Sequence, residues 1–245
     1  MFFDKLKKAN DWLLDILLPK TCLSCRKEGS FVCPECLAKI PIQKSFHCYI
    51  CAKRSPEGRA CQSCKSESGF KLTGLFVASD WQNLLVRQMI YDFKYRFARE
   101  LANPLGEVLI KYLKTNPLIN YQTDKLMLVP VPLHKRRLAW RGFNQAALLA
   151  EQIGNYFKIP AANDLIIRSR HTSPQMDIKN KLERIKNIAG AFSLNHNFEN
   201  SGQIKNKILI LVDDVCTTAS TLNECALAIK PLKPKEIWGL VVARG

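Results

Sequence analysis

The sequence has 245 residues, 47% of them hydrophobic and 24% charged, which excludes a disordered or low-complexity chain and leaves room for one or two packed domains. Its formal net charge of +16 favours polyanions as partners, whether nucleic acid, an anionic membrane surface or a pyrophosphate-bearing ligand, and leaves generic solubility open as the alternative. Residues 1–70 hold 12 basic and 7 acidic residues, so most of the excess lies further along the chain.

The opening segment, FFDKLKKANDWLLDILLP, repeats apolar residues at helical spacing (Phe2, Phe3, Leu6, Leu13, Leu14, Leu17, Leu18), with Lys5, Lys7 and Lys8 near its start. It is too short and too charged to span a bilayer. Two readings stay open: a helix packed on the domain that follows, or one lying on a membrane surface as a peripheral contact. Pro19 ends it.

Eight of the ten cysteines fall before Gly69 as four CxxC pairs: Cys22/Cys25, Cys33/Cys36, Cys48/Cys51 and Cys61/Cys64. No secretory signal precedes them, so a disulfide scaffold is disfavoured and a cytoplasmic metal site is expected. Two thiolates separated by two residues face one tetrahedral ion from a tight knuckle, and two knuckles complete a four-sulfur structural site. Four knuckles therefore predict two zinc ions, paired sequentially (Cys22, Cys25, Cys33, Cys36; then Cys48, Cys51, Cys61, Cys64) or interleaved. Eight thiolates and two Zn²⁺ lower the net charge to about +12. So small and polar a segment needs the metal to fold. His47 adjoins Cys48 but both shells are already full, so a surface histidine is expected.

After Gly69, FKLTGLFVAS reads as a strand or hairpin. Residues 81–97, WQNLLVRQMIYDFKYRF, form an amphipathic helix whose aromatics interleave with Lys94 and Arg96; such a stripe serves as core or as a stacking surface for a single strand. Asn103–Leu113 is a further helix. From Leu126 the chain alternates: strand LMLVPVP, a basic loop, helix NQAALLAEQIGNYF, strand DLIIRSR, a polar stretch, strand ILILVDD, helix TLNECALAIK, strand IWGLVVAR. Repeated apolar strands and helices predict an α/β fold, a parallel sheet flanked by helices.

Residues 208–222, ILILVDDVCTTASTL, place paired acids and a hydroxyl-rich turn between a buried strand and a helix, where open α/β sheets bind ligands. A phosphate wants converging N–H and O–H donors at a helix N-terminus, and vicinal hydroxyls want carboxylate acceptors. Within the turn Cys216 reads as a small filler without an activating base beside it. Cys225 reads as a helix residue facing the core.

That stretch resembles the binding motif of type I phosphoribosyltransferases. The VPVPLH, RGFNQ, SPQ, R..N..GAF and VDDV elements together are similar to the ComF family of competence proteins, which joins an N-terminal zinc ribbon (here residues 1–69) to a phosphoribosyltransferase-like domain (70–245). The resemblance covers almost the whole chain. It implies that Asp213 and Asp214 hold the ribose hydroxyls of phosphoribosyl pyrophosphate, and that Thr217, Thr218, Ala219, Ser220 and Thr221 wrap its 5′-phosphate. The family usually has glycine at Ala219. Lys135, Arg136, Arg137 and Arg141 fall in the pyrophosphate-loop region, with His134 adding charge, while Arg168 and Arg170 open the hood segment; these would bind pyrophosphate or DNA phosphate, with Mg²⁺ accompanying phosphoribosyl pyrophosphate.

The resemblance further implies handling of imported single-stranded DNA in natural transformation, in the cytoplasm, with the inner face of the membrane open as a second place through the N-terminal helix. An active phosphoribosyltransferase with an unknown acceptor, and a zinc-ribbon adaptor docking a helicase or recombination protein, are the alternatives.

Overall fold

The computed structural model describes residues 20–67, 69–115, 123–170, 172, 180–198 and 202–245. The expected N-terminal helix, and the SPQ element at 173–175, lie outside them. The chain forms two compact units, residues 1–40 and 41–245. Among the described residues no helix is long and apolar enough to cross a membrane.

Two equivalent knuckles fall one in each unit. In the first, the Cys22 N–H donates to the Lys27 carbonyl (2.8 Å) and the Arg26 N–H to the Cys22 carbonyl (3.0 Å); in the second, Cys48 donates to Lys53 (2.8 Å) and Ala52 to Cys48 (2.9 Å). Arg26 and Ala52 both take positive φ, 66° and 61°. Each knuckle is followed by a short helix bearing the last cysteine of its set: α1 (Pro34–Ala38) carries Cys36, α2 (Gln62–Glu67) carries Cys64.

The larger unit is built on four parallel strands. β1 (Gly74–Asp80), β2 (Leu126–Pro130), β5 (Ile208–Cys216) and β6 (Glu236–Arg244) lie in the order β1-β6-β5-β2. Register pairs Leu128 with Ile210 and Leu211 with Gly239. β5 and β6 are apolar and buried along nearly their whole length because helices cover both faces. Helices α4 (Ala102–Leu113) and α6 (Gln145–Phe157) cover one face, and α8 (Ser220–Ile229) the other. Leu209 and Leu211 of β5 pack in one cluster with Leu222, Cys225 and Ala226 of α8. Cys225 is fully buried there, as expected. Gly239 permits this close approach, since a Cβ there would lie 2.7 Å from Leu75 Cδ1 and 3.0 Å from Leu222 Cδ1.

One expectation is narrowed and one corrected. FKLTGLFVAS, read as a strand or hairpin, is a strand: it supplies β1 at the edge of the main sheet, paired in parallel with β6. DLIIRSR does not enter the sheet: β3 (Ile166–Arg168) pairs antiparallel with β4 (Phe192–Leu194) as a separate ribbon. Ile166 is buried while Ile167 is 44% exposed, and such alternation suits a ribbon with one wet face rather than a strand covered on both.

The expected 81–97 helix runs from Leu84 to Tyr95 (α3). The Asn83 side chain accepts from the Val86 N–H (3.0 Å) and caps its start. Its buried stripe is Val86, Met89, Ile90 and Phe93. The basic stretch after β2 is a two-turn helix, α5 (Lys135–Arg141), closed by Gly142 at φ 77°. A further helix, α7 (Lys181–Ile188), precedes β4.

Candidate functional site

β5 delivers Asp213 and Asp214 to the carboxyl end of the sheet, one toward each face as strand geometry requires. The chain then turns into α8. Ala219, at the N-cap, holds φ 60° and ψ 9° with its methyl buried, a left-handed conformation that glycine adopts freely and alanine only under strain. No side chain caps this helix. The Thr218 and Ser220 hydroxyls bond to one another. Behind the turn, the Arg244 guanidinium donates to the Thr217 carbonyl (3.3 Å) and the Tyr49 carbonyl (2.7 Å), tying the second cysteine region to the turn.

A cleft of 190 Å³ opens over these residues, large against the ~30 Å³ share of one water. Asp213, Asp214, Thr217, Ala219, Ser220 and Thr221 line it, facing Arg137, Arg141 and Arg168. Thr218, Lys135, Arg136 and Arg170 are not brought into the lining. The reason for the basic helix is periodicity: Arg137 and Arg141 are four residues apart and share a face, whereas Lys135 and Arg136 point to solvent. His134, expected to add charge, is buried and caps α5, its Nδ1 accepting from the Arg136 N–H (3.3 Å). Arg170 donates to the carbonyls of Asn187 (3.1 Å) and Ala189 (2.5 Å) at the end of α7.

Lys94, Asn144, Gln145 and Arg184 also line the cleft. Lys94 Nζ lies 2.7 Å from Asp214 Oδ1, their side chains 15% and 4% exposed. The sequence carried a signal for it: Lys94 follows Ile90 by four residues, which puts a cation on the apolar face of α3. Gln145, also buried, accepts from Arg141 Nη1 (2.7 Å) and donates to the Phe93 carbonyl (3.3 Å), so it holds the guanidinium at the cleft wall.

Five cations and two carboxylates line the cleft, which selects an anion. Burial pushes Arg168 down to about 10, helped by the like charge of Arg137. Burial likewise lowers Arg141, against the pull of Asp214. Both guanidiniums leave Nε buried without a hydrogen-bond partner, a costly state that an anionic acceptor would relieve. Desolvation pushes Asp213 up to about 7, reinforced by the Asp214 charge and opposed by Lys94, the Asp214 N–H and Arg168. Burial also pushes the Cys216 thiol up to about 12, which makes it an inert filler rather than a nucleophile.

The cysteines form two sets, Cys22, Cys25, Cys33, Cys36 and Cys48, Cys51, Cys61, Cys64, each with all sulfurs within 4.8 Å of one another. Pairing is therefore sequential. The Cys25–Cys33 and Cys51–Cys61 sulfurs are 3.6 and 3.7 Å apart, close to the ~3.8 Å edge of a tetrahedron with Zn–S near 2.3 Å. The Cys33 and Cys61 N–H groups donate to Cys22 and Cys48 Sγ, each at 3.4 Å. Burial alone would raise Cys22, but the N–H groups of Cys25, Cys33 and Ser24 bring it down to about 6. Both sets fit zinc. His47 belongs to neither and pairs through its backbone, antiparallel, with Arg54.

A family model described as a double zinc ribbon domain matches residues 13–65, and one described as a phosphoribosyl transferase domain matches residues 141–245. Competence protein F of Haemophilus influenzae is 30% identical over 230 residues, covering 87% of this chain and 98% of that protein. The chain belongs to the ComF family of competence proteins. Within that family it is also similar to competence protein ComFC of Bacillus subtilis, 27% identical over 206 residues that span 82% of this chain and 80% of the relative. DNA utilization protein YhgH of Salmonella typhimurium is 28% identical over 210 residues, 84% and 80% of the two chains.

Proposed function

We propose that this ComF-family protein binds a pyrophosphate-bearing phosphoribosyl ligand in the β5–α8 cleft and handles single-stranded DNA for uptake and use in competence. The observation that carries the reading is the convergence in one cleft of paired acids, a hydroxyl-rich helix start and three arginines, two of them with an unpartnered buried Nε. Asp213 and Asp214 accept hydrogen bonds from the ribose hydroxyls. Thr217, Ser220 and Thr221, with the N-terminal turn of α8, hold the 5′-phosphate. Arg137, Arg141 and Arg168 meet the pyrophosphate oxygens, and Mg²⁺ accompanies the ligand to neutralise them. The names of the relatives, competence protein and DNA utilization protein, support the DNA role. The strand's phosphates take the same arginines, so DNA and ligand compete.

Titrating an oligothymidylate at several salt concentrations tests the DNA half of this reading. In the Arg137→Glu, Arg141→Glu variant the slope of log K against log salt falls by ~0.7 for each phosphate no longer neutralised, and added phosphoribosyl pyrophosphate no longer displaces DNA. An unchanged slope would remove these arginines from the DNA path.

A further inference from the structure

At the rim of the cleft lies a run of rings, three exposed and one half-buried, that the phosphoribosyl reading does not use. Tyr91 and Tyr95 of α3 stack obliquely with centroids 5.1 Å apart, and Phe97 meets Trp140 of α5 edge-on at 4.9 Å. The Arg141 guanidinium joins the two pairs, 5.9 Å from the centroid of Tyr95 and 5.9 Å from that of Trp140. Trp140 is 59% exposed, Tyr91 48% and Phe97 42%. Leaving so much aromatic surface in water in one place is unfavourable unless something covers it. Phe97 also takes φ 57°, a strained conformation for an aromatic residue that clusters at binding sites.

The surrounding charge indicates what covers the rings. Arg87 and Arg96 of the α3 region and Lys135 and Arg136 of α5 are exposed. The acid within these helices, Asp92, is buried and accepts from Gln88 Nε2 (2.8 Å), with Arg96 Nε at 3.4 Å. Rings alternating with cations, without an exposed carboxylate in either helix, suit a strand of unpaired bases with its phosphates alongside. Tyr95 and Arg141 also line the cleft, so the row leads into it.

We propose that Tyr91, Tyr95, Phe97 and Trp140 form a base-stacking platform on which single-stranded nucleic acid lies as it approaches the cleft, with Arg141 sandwiched between the ring pairs. The inference rests on the DNA reading above and adds to it a sequence-tolerant site that starts at the rim of the phosphoribosyl cleft and runs away from it. Because stacking needs bases and not only phosphates, it makes a demand that a purely electrostatic surface does not.

The test uses the full zinc-loaded chain, wild type and Trp140→Ala, with Trp140→Phe as a conservative variant. The probes are an oligothymidylate and an abasic oligonucleotide of the same length. Substitution at so exposed a position leaves folding intact. Trp140→Ala weakens oligothymidylate binding by roughly 5- to 150-fold, the effect of ~1–3 kcal/mol for one stacked base. It leaves the salt slope and the abasic probe unchanged, and Trp140→Phe restores most of the affinity. If wild type binds oligothymidylate and Trp140→Ala binds it equally well, the platform is refuted while the DNA reading stands. If wild type binds neither probe, the DNA reading fails and the platform falls with it.

Discussion

Replacing Lys94 by methionine removes the cation 2.7 Å from Asp214 Oδ1 while keeping an unbranched side chain one atom shorter. At an effective dielectric constant of 20, two unit charges at that distance attract by ~6 kcal/mol, and the desolvation of both groups cancels part of it. With Asp214 only 4% exposed and Asp213 next to it, the orphaned carboxylate keeps only the weaker pull of Arg141, so the net loss is ~3 kcal/mol at pH 8. Asp214→Asn alone costs ~2 kcal/mol, because it strands a lysine that retains some access to water. The double variant loses ~2–3 kcal/mol rather than the ~5 kcal/mol of additivity, since no unpaired charge remains. Urea unfolding of the four zinc-loaded proteins at pH 8 reads these values directly. Repeating it at pH 5.5 adds a second check: the acid pair now holds a proton, and the deficit of Lys94→Met shrinks. Additive losses, or a deficit that grows as pH falls, would refute the ion pair as described.

Asp213 gives the folded protein a pH dependence of definite sign. Its carboxyl is raised from 3.8 to about 7, so between those values the folded chain holds a proton the unfolded chain has lost, and stability falls as pH rises from 4 to 7. The upper bound is ~4 kcal/mol, and Asp213→Asn flattens the profile of unfolding free energy against pH. Ala219→Gly relieves ~1–2 kcal/mol of left-handed strain but loses a buried methyl worth ~0.8 kcal/mol and adds ~0.4–1 kcal/mol of unfolded-chain entropy. Its urea midpoint therefore stays close to wild type; a loss above ~2 kcal/mol would contradict the conformation at Ala219. Metal analysis should find two zinc ions per chain. Cys48→Ser with Cys61→Ser leaves one and lowers the melting temperature of the sheet-bearing unit, because Tyr49 donates its hydroxyl to the Leu72 carbonyl (3.0 Å) and packs in the core with Leu75 and Val241. An unchanged transition would show that the second metal does not brace that unit.

What the sequence disclosed follows from local chemistry. Four CxxC pairs announce metal knuckles because thiolate spacing is local, and ILILV and IWGLVV announce strands buried on both faces because neither alternates. Asp213 and Asp214 were legible for the same reason, the strand, the acids and the turn being contiguous. What stayed hidden depends on distant segments. Lys94 meets Asp214 across 120 positions of the chain, and its place on the apolar face of α3 was the sole local sign of it. The basic stretch 135–141 disclosed its charge but not its direction; two of its arginines face the cleft because it is helical. DLIIRSR has the composition of a sheet strand, and only its pairing with β4 reveals a separate ribbon. Zinc pairing was open in the spacing and is settled by which sulfurs lie within reach.

The central claim is a working phosphoribosyl site, and calorimetric titration of the zinc-loaded protein with phosphoribosyl pyrophosphate and Mg²⁺, beside the Asp213→Asn, Asp214→Asn variant, tests it most directly. The account predicts saturable binding in the wild type that is lost in the variant, with zinc content and fold retained in both. Absence of binding in the wild type, or equal binding in both proteins, would contradict it.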